Sequence, residues 1–139
     1  MTGFGDKSKN NWVVSNLLEK DAENAPLFSN AATNRAYYSV YQAALYYILK
    51  SRGRQFLENL KLGEEKGSHQ KIYDFLLRDK GLEDVVNIHQ IMKMKVMKGL
   101  RKKADYSEQT VSLNRLRKEK NNVKPLQQAL LTLGDCEND

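Results

Sequence analysis

Six basic residues and no acid fall within "IMKMKVMKGLRKK", Ile91 to Lys103, and five more stand against the single acid Glu119 within "RLRKEKNNVK", Arg115 to Lys124. Clustered lysine and arginine neutralise phosphate, and nucleic acid is the commonest macromolecular source of phosphate. Lys95, Lys98, Lys102 and Lys103 in the first block, with Arg115 and Arg117 in the second, are therefore the expected nucleic-acid contacts. Lys95, Lys98 and Lys102 equally fit one solvated helix face, and cations near a helix C-terminus are favourable against the macrodipole. The net charge of +6 is compatible with both.

Other chemistries find less support. The two histidines, His69 and His89, stand twenty residues apart without cysteine pairs, so no metal site is expected and no cofactor is implied. His69 follows the plausible helix cap Ser68 and reads as a first-turn surface residue. Cys136 lies in the acidic stretch "GDCEND", where carboxylates raise a thiol's pKa and disfavour a nucleophile. "GFGDKS", Gly3 to Ser8, lacks the glycine immediately before lysine and the preceding strand of a phosphate loop.

The elements that must position the basic residues are helices. The 139 residues contain two prolines and no sustained period-two run, so the chain reads as one all-α domain. An up-down bundle of four to five helices is expected, with a short flexible N-terminus over about 1–9 and an acidic tail over about 134–139. A first helix, capped at Asn10 or Asn11, offers Trp12, Val13, Leu17 and Leu18. A second begins near Leu27 or Thr33 and stops at Gly53; it carries five of the seven tyrosines. Tyr37, Val40, Tyr41, Ala44 and Ile48 form its main apolar face, Tyr38, Leu45 and Leu49 widen it, and Arg35, Ser39 and Gln42 make its polar stripe. Such a helix belongs at the centre of the bundle. "LENLKLGEEKG", Leu57 to Gly67, reads as a helix end and a mobile loop. Ser68 then caps a helix with Ile72, Phe75 and Leu76 inward. A further helix from about Leu82 to Lys103 takes Val85, Ile88, Met92 and Val96 as its core stripe. Leu113, Leu116, Leu126 and Leu130 belong to the last stretch, which Pro125 kinks or restarts. No stretch is apolar for long enough to span a membrane, and the N-terminus lacks a secretory apolar core, so the chain reads as cytoplasmic.

Two ordered signatures then carry a resemblance. "NRAYYSVYQAA", Asn34 to Ala44, and "LRKKADY", Leu100 to Tyr106, with "GSHQKIYDFL" between them, resemble the small stand-alone HEPN proteins of prokaryotic toxin-antitoxin and defence modules. The similarity runs from roughly Trp12 to Leu131. Asn34, Arg35, Tyr37, Tyr38 and Tyr41 match the family's central-helix motif. The resemblance implies a helical bundle that pairs as a homodimer, often beside a nucleotidyltransferase-like protein partner. It also implies RNA as substrate, since many relatives are metal-independent ribonucleases using an arginine and a histidine separated by four to six residues.

This chain departs from that pattern: Arg101 takes the arginine's place, but Tyr106 stands where the histidine would be. A phenol with an unperturbed pKa of about 10 is a poor base at neutral pH. Arg101, Asp105 and Tyr106 are thus the candidate catalytic residues of a degenerate site that favours binding RNA or nucleotide phosphate over cleaving it. Alternatively, Arg101 and Asp105 pair at i, i+4, or Arg35 crosses to Asp105, and the group is an architectural clamp. A non-catalytic module that binds a protein partner is the competing function.

Overall fold

The computed structural model describes residues 3–61, 67–106 and 109–137, and these are all-α. Among them are four long helices, α1 (Phe4–Asp21), α2 (Phe28–Arg52), α6 (Ile88–Tyr106) and α7 (Leu113–Cys136). Three short ones, α3 (Arg54–Lys61), α4 (Ser68–Arg78) and α5 (Lys80–Glu83), bring the described total to seven, above the expected four or five. The glycine-containing segment 62–66, expected to be a mobile loop, lies outside the described residues.

Helix α2 is the axis. It is buried around most of its circumference because α1, α7 and α6 pack on it, with α3 and α4 near its end. Tyr37, Val40, Leu45 and Ile48 are among its fully enclosed side chains. Each large apolar residue so buried contributes on the order of 2 kcal/mol. Gly53 ends the helix at φ +91°, a left-handed backbone that favours glycine, while its N–H still reaches the Leu49 carbonyl at 2.9 Å.

The seam between α1 and α2 differs from the expected one. Helix α1 starts at Phe4, so Asn10 and Asn11 lie inside it rather than capping it, and Gly5 and Ser8, in the stretch expected to be flexible, are buried. Val13 and Leu17 point outward, 56% and 60% exposed. The inward face is Gly5, Ser8 and Ser15, small residues that allow a close approach. The Ser8 hydroxyl donates to the Ser39 carbonyl at 2.6 Å, and Ser15 donates to the Ala32 carbonyl at 2.8 Å. Ser39 is therefore buried rather than part of an outer polar stripe. Gln127 of α7 donates to both serine hydroxyls at 3.3 Å, so this polar seam satisfies itself. Farther along, the Tyr46 ring fits between Gly5 and Gly134, where added Cβ atoms would come to 3.3 and 2.5 Å. Gly134 and Asp135, assigned from sequence to an acidic tail, belong to α7, and Tyr46 donates to Asp135 at 2.5 Å.

Helix α6 is rotated relative to the sequence expectation. Its buried face is Ile91, Met94, Met97, Leu100 and Ala104. Val85, Ile88 and Met92, expected in the core, are 54%, 55% and 46% exposed, and Val96 is half-buried. The helix is also separate from α5, whose N-cap Asp79 accepts from the Leu82 N–H at 3.1 Å. Asp79 further accepts from the Tyr47 hydroxyl and, at 3.3 Å, from Arg52, which joins the end of α2 to α5. Helix α4 opens at Ser68 with Gly67 as its N-cap, so Ser68 is not the cap. Helix α7 passes through Pro125 without restarting; the carbonyl that Pro125 cannot serve belongs to exposed Asn121.

Two side chains at the start of α2 fix where α6 ends. Asn30 donates to the Ala104 carbonyl at 3.3 Å and accepts from the Val111 N–H at 2.9 Å, while Ser29 donates to the Val111 carbonyl at 2.5 Å. These bonds hold the last turn of α6 beside Asn34 and Tyr38.

Candidate functional site

The two quoted signatures meet in space. Arg101, on α6, lies over two rings of α2, its guanidinium carbon 5.4 Å from the Tyr37 centroid and 5.5 Å from that of Tyr38. Its Nη1 donates to Asp105 Oδ2 at 3.2 Å. The Asn34 amide donates to the same oxygen at 3.2 Å. The crossing from α2 to Asp105 is therefore made by Asn34. Arg35, which could have made it, is exposed and donates to Asn11 at 3.2 Å. The Arg101 side chain is only 13% exposed, and its Nε is buried without an acceptor among the described residues. The ring faces and the Asp105 carboxylate offset that desolvated charge.

His69 is the residue that sequence reasoning missed. It does not sit on the surface: its ring stacks on Tyr41 at 4.1 Å and 6°, and its Nδ1 lies 2.6 Å from the Tyr37 hydroxyl. Burial pulls the His69 pKa from 6.5 down to about 4, helped by Lys98, Arg101, Lys61 and Lys102. The imidazole is neutral at pH 7 as a result. Burial also pushes the Tyr37 hydroxyl well above its ordinary value, reinforced by Tyr41, so the phenol keeps its proton. No arginine-to-histidine spacing could reveal this arrangement, because His69 and Arg101 belong to different helices. The only local signal was the segment "GSHQKIYDFL", aligned as part of the resemblance.

The first basic block surrounds this cluster. Lys98 is half-buried, and its pKa is lowered by burial and by Lys102, Arg101 and Lys95. Lys95 lies over the Tyr73 ring at 5.8 Å. Lys102 and Lys103 are exposed. Tyr106 is 80% exposed, so its ring is open to solvent beside the Arg101–Asp105 pair.

The second block is arranged differently. Arg115 pairs with Glu119 at 3.2 Å, and Arg117 bridges Glu19 and Glu23 at 3.1 and 2.7 Å. Lys120, 4% exposed, donates to Glu19 at 2.9 Å and Asn16 at 2.6 Å beneath the Trp12 ring. Arg117 and Lys120 fasten α7 to α1 and the turn after it, while the Arg115–Glu119 pair lies within α7. Among the described residues, no group of three or more His, Cys, Asp or Glu side chains could hold a metal ion, and no helix is long and apolar enough to cross a membrane.

Comparison of the chain with protein-family models, with curated proteins and with solved structures returns no match in any of the three.

Proposed function

We propose that this protein binds RNA or nucleotide phosphate through the C-terminal half of α6, with Lys95, Lys98, Lys102 and Lys103 around Arg101. The observation that carries the proposal is the crowding of Lys98, Arg101, Lys61 and Lys102 about a single neutral imidazole. Of these four, only Arg101 has an ion-pair partner among the described residues. Like charges held this close depress one another's pKa, and a phosphate set among them would relieve the repulsion. Exposed Tyr106 offers a ring on which a base can stack.

The HEPN resemblance supports the same ligand class and adds a setting: a toxin or defence-module protein with a degenerate ribonuclease site at Arg101, Asp105 and Tyr106. It also supports a homodimer and a nucleotidyltransferase-like partner. Binding without cleavage is the expected behaviour, because no histidine follows Arg101 at the family's spacing. His69 lies in the same cluster, so cleavage is the outcome to test.

The deciding experiment incubates purified protein with single-stranded RNA and follows both retention and chain length across a salt series. Salt-sensitive binding that Arg101→Ala weakens supports the proposal. Cleavage abolished by Arg101→Ala would make the site catalytic. Absence of both would remove the nucleic-acid reading altogether.

A further inference from the structure

Ile88, Met92 and Val96 recur every fourth residue of α6, and Val85 precedes them in the turn after α5. That spacing puts them on one side of the helix, over about 12 Å from Ile88 to Val96. The core uses the other side, so Val85, Ile88 and Met92 stay 54%, 55% and 46% exposed. Beside them lies an open groove of about 370 Å³, lined by Tyr73 of α4 and by His89, Met92, Lys93, Lys95 and Val96 of α6. The groove is floored by apolar side chains and edged by two lysines and a histidine, with no carboxylate in its lining. The nearest acid along the chain is Asp74, next to Tyr73, whose carboxylate accepts from Gln70 at 2.8 Å, and Glu83 and Asp84 stand at the opposite, Val85 end of the stripe.

From this juxtaposition we infer that the α4–α6 groove is a docking site for an amphipathic helix of a partner protein, one whose apolar stripe is flanked by acidic residues. A run of side chains extended along a helix suits another helix laid beside it better than a compact small molecule. The apolar contacts would supply affinity, and Lys93 and Lys95 would select acidic flanks over basic ones. A second copy of this chain is the competing occupant, since an antiparallel two-fold contact brings Lys93 and Lys95 toward Glu83 and Asp84 of the other copy, and the test below separates the two. The groove runs along the N-terminal half of α6 and shares only Lys95 with the proposed phosphate-binding residues, so a loss confined to the groove is read at Met92 and Lys93.

The test uses a designed amphipathic peptide about five turns long, with leucines along one face and glutamates beside them, and a counter-probe in which lysines replace the glutamates. Fluorescence anisotropy should show salt-sensitive binding of the glutamate peptide only. Met92→Glu should weaken it on the order of tenfold, as for a central apolar contact. Because Met92 is half-exposed, the thermal melt of that variant should stay close to the parent's, and Lys93→Glu provides a second variant that leaves the apolar floor intact. Equal binding of both peptides, no binding of either, or indifference to Met92→Glu would overturn the inference. So would a concentration-dependent dimer that Met92→Glu dissolves, which would assign the face to a second copy, or a loss of RNA binding in Met92→Gln without peptide binding, which would assign it to nucleic acid.

Discussion

The two basic blocks look alike in sequence and differ in what the fold does with them. In the second, on α7, Arg115, Arg117 and Lys120 are matched to Glu119, Glu19 and Glu23, and Arg117 and Lys120 act as fasteners to the first helix and its following turn. In the first, on α6, Lys102 and Lys95 act on Lys98, and Lys98 and Lys102 act on His69. Arg101–Asp105 is that block's ion pair among the described residues. A cationic cluster with few internal counter-charges retains an outward field, whereas a matched one does not. Counting lysines and arginines therefore says less about ligand binding than finding where the carboxylates lie.

The contrast can be broken most sharply at Lys120. Lys120→Met removes a buried donor from Glu19 and Asn16 and should cost about 2 kcal/mol in urea unfolding, while Lys98→Ala should leave stability unchanged or slightly raised. If both substitutions cost the same, the two blocks are not distinct. Next in size, Lys98→Ala with Lys102→Ala should lower RNA affinity roughly tenfold and flatten the salt dependence by about 0.7 per lysine removed. Arg115→Ala and Arg117→Ala should stay within about twofold of the parent in the same titration. Equal losses from both blocks would show that carboxylate pairing does not silence the second.

A smaller effect concerns pH. The His69 pKa is depressed to about 4 in the folded chain. Between its ordinary value and that one, the unfolded chain binds more protons, so stability falls as pH drops from about 6.5 towards 4. Thermal melts should show the loss, and His69→Phe should remove much of it. Lys98→Ala should raise the His69 pKa in an NMR titration, and added phosphate should raise it in the parent protein. A His69 signal indifferent to both would separate the histidine from the cationic cluster. Last, Asp105→Asn should cost about 1 kcal/mol, because Arg101, only 13% exposed, loses its counter-charge while the amide oxygen still accepts from Asn34 and Arg101.

Much of the helical framework was legible. Tyrosine-rich α2 could not be solvated on any broad side, so its central place followed from composition, and Gly53 marked its end. The phase of α6 was not legible. Isoleucines, methionines and valines occur at helical spacing on two of its sides, and periodicity within one helix cannot say which side meets α2 and α7. The α1 seam escaped for the opposite reason: its buried face is glycine and serine, which carry no hydropathy signal until Ser39 and Gln127 supply partners. In the candidate site, Arg101 and Asp105 were close in sequence and therefore readable, whereas Asn34 reaches Asp105, and His69 reaches the Tyr37 that Arg101 covers, from other helices.

The sequence by itself determined the all-α class, the central helix and the location of the two basic blocks, because helical periodicity and net charge are properties of neighbours along a chain. Only the tertiary structure decided which block has most of its charges paired with carboxylates, which face of α6 is left uncovered, and that His69 is held neutral against Tyr41. Those outcomes depend on distances between residues far apart in the chain, and both Coulomb and desolvation energies follow those distances rather than the order of the sequence.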